Sequence, residues 1–204
     1  MNLRVFLTFA TCCLTLFCFA FTSYAWVITK ELKKELAEKT TYVKKNPKDP
    51  EAQFELAVTQ GYTNHLLEGM SSLKKVNDID PQFKLEALEI YFNKVLEDPN
   101  DWKLRFRLAF IYYFNDRYPE AIRELNNVLI IDPYNVWAMG YLALLYGYMN
   151  EVDKAIAITK QALKVDSNVA ALHLLLGEGY AKKGNGWGAF RERLEAVRLK
   201  SLGY

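Results

Sequence analysis

Apolar side chains recur every three or four residues along the second half of the chain, in two runs within each stretch of 34 residues. The first run of the first stretch contains Phe106, Ala109, Phe110 and Tyr113, and the second contains Ala121, Ile122, Leu125, Val128 and Leu129. This spacing places the apolar side chains of each run on one face of an α-helix. The pattern therefore predicts two amphipathic helices per stretch.

The pattern has a fixed 34-residue period over the blocks 102–135, 136–169 and 170–203. Each block carries Leu followed by a small residue, then Tyr three positions on, then Ala nine positions later. Turn-forming pairs such as Asp98-Pro99 and Asp132-Pro133 separate the blocks, and Asp or Asn is available there to cap the next helix. One such helix pair cannot bury its apolar faces alone, so the blocks are expected to stack. We predict an all-α solenoid of antiparallel helix pairs.

A degenerate fourth repeat is predicted upstream, over residues 49–101. Asp49-Pro50 opens one helix, and Pro81 opens a partner helix that ends at Asp98-Pro99. The spacing from Pro50 to Pro99 exceeds the 34-residue period by 15 residues, and we assign the excess to an inserted loop or short extra helix near residues 69–80. Residues 26–48 are predicted to form a charged helical linker.

The N-terminal residues 1–25 have the features of a membrane-targeting segment. No charged residue occurs from Val5 to Thr29, and Ser23-Tyr24-Ala25 offers small residues for signal-peptidase cleavage before Trp26. A helix over the uncharged stretch would be about 37 Å long, enough to span a bilayer. A cleaved signal peptide and a retained transmembrane anchor both fit, and a buried helix of the folded domain is the third alternative. The first two place the repeats outside the cytoplasm, either exported to the periplasm or anchored to the membrane.

Charge and cysteine content narrow the class of protein. The net charge is +2, so no strong field attracts the chain to nucleic acid. All three cysteines, Cys12, Cys13 and Cys18, precede the repeats, which therefore have no disulfide or cysteine-based metal site. The basic stretch 30–48 is either a solvated helix face or a contact with an anionic membrane surface.

No catalytic motif is found in the chain. A glycine-rich phosphate loop, a His-Glu-x-x-His pair and a Gly-x-Ser-x-Gly elbow are all missing from the sequence. The two histidines, His65 and His173, lie on different repeats, and His173 occupies a position expected to pack. We predict a protein that is not an enzyme and has no cofactor or metal.

The Leu-small-Tyr-Ala pattern at 34-residue spacing resembles the tetratricopeptide repeat family. The match departs at Arg105, Met139 and His173, where a large aromatic residue is frequent, and at Ser167, where proline often closes the repeat. The resemblance implies a right-handed superhelix with a concave groove lined by the first helix of each repeat. Transferred to this chain, the groove positions and their neighbours are Phe54, Tyr62, Lys103, Phe106, Arg107, Phe110, Tyr113, Trp137, Tyr141, Leu144, Tyr148, Leu174 and Glu178.

The resemblance implies a protein–protein interaction scaffold or assembly factor that holds a helix or extended peptide of a partner in this groove. The aromatic side chains could instead pack between repeats, since aromatic residues on helices are usually core. Two other functions stay open: a self-associating structural repeat protein, and an accessory subunit of an envelope enzyme complex. The expected partners are another protein or a second copy of the chain, and the membrane if the N-terminal segment is retained.

Overall fold

The structure, a computed structural model, describes residues 28–203, with the side chains of Leu66 and Leu67 left out. Within this range the chain forms ten helices and no strand. The helices are α1 (Lys30–Lys45), α2 (Pro50–Gly61), α3 (Leu66–Ile79), α4 (Phe83–Glu97), α5 (Trp102–Phe114), α6 (Tyr118–Ile131), α7 (Val136–Tyr148), α8 (Val152–Val165), α9 (Ala170–Lys182) and α10 (Gly186–Ser201).

The predicted targeting segment 1–25 lies outside the described residues. Among the helices from Lys30 to Ser201, none combines the length and the apolarity that a bilayer crossing requires.

Side-chain caps explain where several helices begin. The carboxylate of Asp49 accepts a hydrogen bond from the Ala52 amide at 3.0 Å, and that of Asp101 accepts one from the Lys103 amide at 2.7 Å. The side-chain oxygen of Asn135 likewise accepts a hydrogen bond from the Ala138 amide at 3.0 Å. These bonds satisfy amides that the first helical turn leaves without a carbonyl partner. The polar residues between blocks therefore define the starts of α2, α5 and α7.

The turn inside each block has one conformation, repeated at 34-residue intervals. Asp116, Asn150 and Gly184 all have positive φ angles, of 57°, 60° and 75°. Glycine, asparagine and aspartate are the residues that tolerate this left-handed conformation best. Each of the three turns therefore reverses the chain in the same way and brings the two helices of its block together.

Small residues allow the helices to approach closely. Ala121 on α6 and Ala189 on α10 are buried at the same position of their blocks. Between blocks, a Cβ atom built on Gly179 of α9 would lie 2.6 Å from Cγ1 of Ile156 on α8. This distance is too short for two carbon atoms, so α8 and α9 can pack at this spacing only with glycine there.

The first repeat is split by α3, which occupies the region predicted as an insertion. Helix α3 packs on α2, where the Ser72 hydroxyl donates a hydrogen bond to Oε1 of Gln60 at 2.8 Å. Helices α2 and α4 meet through large side chains, since the rings of Phe54 and Tyr91 lie 5.2 Å apart. The Tyr91 hydroxyl also donates to Glu55 on α2 at 2.6 Å. The α2/α4 pair is thus wider than the later pairs, and α4 packs on α5 as the second helix of a repeat packs on the next repeat.

Candidate binding groove

An apolar groove with a volume of about 480 Å³ lies between α3 and the first helices of the later repeats. Its size falls within the usual range for pockets that enclose a small ligand. Among the described residues, Glu178 is the only charged one that lines it. The lining residues are Ala57, Gly61, Gly69, Met70, Leu73, Phe110, Tyr113, Phe114, Trp137, Gly140, Tyr141, Leu144, Tyr148, Val169, Ala171, Leu172, Leu174, Leu175 and Glu178.

Packed aromatic rings form the floor of the groove. The ring of Tyr141 on α7 meets that of Phe110 on α5 edge to face, with centroids 4.6 Å apart. A Cβ atom on Gly61 would lie 2.7 Å from the Tyr141 hydroxyl, so the end of α2 closes over this pair. Burial raises the pKa of Tyr141, as expected for a phenol enclosed by apolar rings. Edge-to-face contacts of this kind fix ring positions and give the groove a rigid floor.

A cluster of three tyrosines forms one edge of the groove. The rings of Tyr113 and Tyr148 lie 5.9 Å apart, and the ring of Tyr118 stacks on Tyr148 at 6.3 Å. Burial, together with a hydrogen bond to Tyr148, raises the pKa of Tyr113. Tyr148 is 56% exposed and Leu174, across the groove on α9, is 50% exposed. The rim therefore presents large side chains that solvent and a ligand can both reach.

Trp137 contributes an unpaired donor beneath the groove. Its side chain is buried, and the indole N–H has no hydrogen-bond acceptor among residues 28–203. Such a group costs roughly 1–3 kcal/mol relative to a paired one. Buried polar groups without a partner are uncommon and often coincide with functional sites.

Helix α1 covers the other half of the predicted groove through a partly buried group of charges around the buried Arg107. The Arg107 guanidinium on α5 donates to Glu55 on α2 at 2.7 Å and to Glu35 on α1 at 3.2 Å. Lys103 also pairs with Glu35, and Lys39 of α1 pairs with Glu55. We call these five residues, Glu35, Lys39, Glu55, Lys103 and Arg107, the charge cluster.

The cations of the charge cluster lower the pKa values of both of its carboxyl groups. Burial raises the pKa of Glu35, but hydrogen bonds from Lys103 and Tyr62 and the charge of Arg107 outweigh this and hold the pKa at about 2. The pKa of Glu55 is lowered in the same way, because Arg107 and Lys39 outweigh its burial. Both carboxylates are thus ionised at neutral pH and hold α1 against α2 and α5.

The structure places eight of the thirteen predicted groove residues around one cavity. These are Phe110, Tyr113, Trp137, Tyr141, Leu144, Tyr148, Leu174 and Glu178. The other five do not line it. Phe54, Tyr62 and Phe106 are fully buried in the core, and Lys103 and Arg107 belong to the charge cluster.

The assignment of those five residues to an open groove is therefore corrected. Phe54 packs between Tyr91 and Phe114, and Tyr62 packs against Phe106 with ring centroids 5.7 Å apart. For Tyr62, Lys103 and Arg107 the cause is α1, whose Glu35 reaches all three side chains. Phe54 is buried instead by rings on α4 and α5, and Phe106 by the ring of Tyr62 and rings on α5 and α7. Phe110 and Trp137, although they line the cavity, are themselves only 8% and 4% exposed.

The groove wall formed by α3 is not among the predicted residues. Gly69, Met70 and Leu73 line the cavity from this side, and Met70 is 68% exposed. Met70 and Leu73 are three residues apart, so a helix in this region would place them on one face. The sequence does not, however, indicate that this helix folds toward α7 and α9.

Both histidines make hydrogen bonds within the fold. His173 is buried, with Nδ1 2.7 Å from Glu192 and Nε2 3.0 Å from the Ser167 carbonyl oxygen, which ties α9 to α10 and to the preceding turn. His65 directly precedes α3 and its Nδ1 lies 2.6 Å from the Thr63 carbonyl oxygen. Across residues 28–203, no group of three or more His, Cys, Asp or Glu side chains could hold a metal ion.

Comparison with solved structures identifies the fold. No protein-family model matches the chain, and no curated protein matches it by sequence. A crystal structure of YrrB, described as a TPR protein with an unusual peptide-binding site, aligns with a TM-score of 0.53 at 14% identity, over 80% of this chain and 92% of that one. A structure of MamA AMB-1 aligns with a TM-score of 0.51 at 16% identity, over 84% and 92% of the two chains. A second MamA structure aligns with a TM-score of 0.50 at 19% identity, over 83% of this chain and 90% of that one.

The chain is thus an all-α solenoid with the tetratricopeptide-type fold. The resemblance and the fold class predicted from the sequence are confirmed.

Proposed function

We propose that this protein is an interaction scaffold that holds an apolar segment of a partner protein in its groove. The observation that carries the proposal is the groove itself, with a rigid aromatic floor, an exposed apolar rim and a single charged residue among the described lining residues. Apolar surface concentrated in one concave site is typical of interaction sites in soluble proteins. The same fold carries a peptide-binding site in YrrB.

The groove volume limits what part of a partner it takes up. One turn of an α-helix, about 10 Å wide and 5.4 Å long, fills roughly 400 Å³, close to the volume of the groove. The groove therefore accommodates a few large side chains along one face of a helix or extended segment. The remainder of the partner lies outside, against rim residues such as Met70 and Leu174.

The charge of the groove lining favours one type of partner segment. Glu178 lines the groove and pairs with Arg193 at 2.6 Å. No cationic side chain of the described chain lines the cavity, so none of these residues neutralises a carboxylate of the partner there. We therefore propose a segment that is apolar or weakly basic rather than acidic.

The location of the protein is a separate proposal, supported by the sequence of residues 1–25. We propose that this segment takes the chain to or across a membrane, with the repeats outside the cytoplasm. An accessory role in an envelope enzyme complex would fit that location.

A random peptide library tests the proposed groove. Peptides selected on the full chain should be enriched in large apolar residues. Their affinity should fall by about 2 kcal/mol or more in Leu174→Asp, because a charge would be placed on the apolar rim. Met70→Asp, on the groove wall formed by α3, should weaken peptide binding for the same reason. Both side chains are at least half exposed, so these variants should fold, unlike truncations of Trp137 or Phe110.

Ile130→Asp is the matched control, since Ile130 is 78% exposed and does not line the groove. It should bind the selected peptides as the parent does. Peptides that bind all three variants equally would show that the groove is not the binding site.

A further inference from the structure

The second helices of the four repeats align at the 34-residue period, with Ala87, Ala121, Ala155 and Ala189 in equivalent positions. Two exposed positions on these helices differ between the inner and the terminal repeats. Helix α6 has Pro119 and Asn126 there, and α8 has Asp153 and Lys160. Helix α4 instead has Leu85 and Phe92, and α10 has Trp187 and Leu194. Only the first and last of these four helices are therefore apolar at both positions.

These side chains belong to two exposed apolar stripes. On α4, Leu85, Phe92 and Leu96 are 57%, 45% and 64% exposed; we call them the α4 stripe. On α10, the stripe consists of Trp187, Phe190, Leu194 and Val197, which are 70%, 55%, 57% and 64% exposed. The spacing of three, four and seven residues places each set along one side of its helix.

The α10 stripe includes positions that another helix covers in the inner repeats. Phe190 is equivalent to Ile156 of α8, which packs against Gly179 of the next repeat. Val197 is equivalent to Leu163, which packs on the core. Large apolar side chains that are exposed side by side usually mark an interaction site. The α10 stripe therefore indicates a surface that a partner covers.

The charges beside the two stripes are complementary. Helical spacing places Arg191 and Arg198 on one side of the α10 stripe and Arg193 and Lys200 on the other. Arg193 and Arg198 pair with Glu178 and Glu195, so the four cations leave a net positive charge along this stripe rather than four free charges. Beside the α4 stripe lie Glu86, Glu89 and Glu97, which are exposed and form no ion pair among the described residues, and one cation, Lys84, so this flank has a net negative charge. Pairing two α10 stripes would bring cations together, whereas pairing α10 with α4 brings cations to carboxylates.

We infer that the chain self-associates head to tail, with the α10 stripe of one copy packed on the α4 stripe of a second copy. The contact is heterologous, so it leaves one free stripe at each end and allows further copies to add. The seven side chains are 45–70% exposed and would bury on the order of 700 Å² of apolar surface, less than the roughly 1,000 Å² that a stable interface exceeds. This area is typical of weak association, which depends on concentration.

Sedimentation velocity of the full-length chain over a range of concentrations tests the inference. The variants Phe92→Asn and Leu194→Asn place the residue of the inner helix α6 into each stripe. Each should weaken association at least about tenfold, because a polar group is buried where an apolar one was. A mixture of the two should form dimers that do not grow. The intact α10 stripe of Phe92→Asn binds the intact α4 stripe of Leu194→Asn. The free stripes of this heterodimer are the two altered ones, so it cannot add another copy.

The pattern across the variants separates the alternatives. If Phe92→Asn still associates and Leu194→Asn does not, α10 pairs with itself, and the inference is wrong. If Leu194→Asn still associates and Phe92→Asn does not, α4 pairs with itself, and the inference is wrong in that case too. Parent-like association of both variants, or a parent chain that is monomeric at all concentrations, overturns it as well. Lys160→Asn, at the equivalent position of α8, is the control and should associate as the parent does, with circular dichroism confirming that every variant is folded.

Discussion

At the residue scale, the contact between Gly179 and Ile156 sets the distance between two repeats. A methyl group at position 179 would fall 2.6 Å from Cγ1 of Ile156, whereas a methyl group at Gly147 on α7 would meet nothing within 4 Å. Both glycines lie in helices, where alanine is intrinsically favoured by up to about 1 kcal/mol. The two positions thus isolate the packing effect from helix propensity.

We predict opposite effects for the same substitution at these positions. Gly147→Ala should stabilise the protein by about 0.5 kcal/mol, since it lies near a helix end and gains only part of the propensity. Gly179→Ala should destabilise it by about 1 kcal/mol, because overpacking costs roughly 1–3 kcal/mol and exceeds the propensity gain. Urea unfolding monitored by circular dichroism measures both. Equal stabilities would show that α8 and α9 separate easily to admit a methyl group.

At the element scale, α1 depends on Glu35 for its attachment. The folded pKa of this carboxyl is about 2, below its ordinary value of 4.5. The unfolded chain therefore takes up the proton first as the pH falls, and protonation favours unfolding. The stability that Glu35 contributes is fully present above pH 4.5 and is lost as the pH falls toward 2.

We predict that Glu35→Gln lowers stability at pH 7 and flattens the fall in stability between pH 4.5 and about pH 2. The amide cannot neutralise Arg107, which is 4% exposed, and has no carboxylate to protonate. Thermal unfolding at a series of pH values gives both the stability at pH 7 and its dependence on pH. Glu38→Gln, on the exposed side of α1, is the control and should follow the parent curve. A Glu35→Gln curve parallel to that of the parent would exclude Glu35 as the group that links stability to pH.

The helices from α5 onward could be predicted from the sequence because their determinants are local. Apolar spacing, caps such as Asp101 and Asn135, and the turn at Asp116 all act within a few residues. The docking of α1 could not be predicted in this way, since Glu35 and Arg107 are 72 residues apart. For the same reason, the repeat pattern alone places Tyr62 and Phe106 on the groove surface rather than in the core. The placement of α3 beside the groove also depends on contacts between distant parts of the chain.

At the scale of the whole molecule, the groove and the two stripes involve different residues. The groove is formed by α2, α3 and the first helices α5, α7 and α9, whereas the stripes lie on α4 and α10. Partner binding and self-association therefore need not compete. The Leu174→Asp and Leu194→Asn variants should each affect only one of the two.

The proposed location also concerns the whole molecule. If residues 1–25 form a cleaved signal peptide, the intact mass of the mature protein should lack these residues. If they form an anchor, the full-length mass should be found in the membrane fraction, and protease added outside the membrane should digest the repeats. A full-length chain found freely soluble in the cytoplasm would exclude both alternatives.

The identical turns at Asp116, Asn150 and Gly184 make each 34-residue block an interchangeable unit of length. Adding or removing a unit would leave the α4 and α10 stripes unchanged, because their side chains lie on the exposed outer surface of their own helices. If copies join through these stripes, every copy adds one groove, and the number of blocks sets the interval between successive grooves. The number of repeats then sets the distance between bound partners along the assembly, and the contact between copies stays the same.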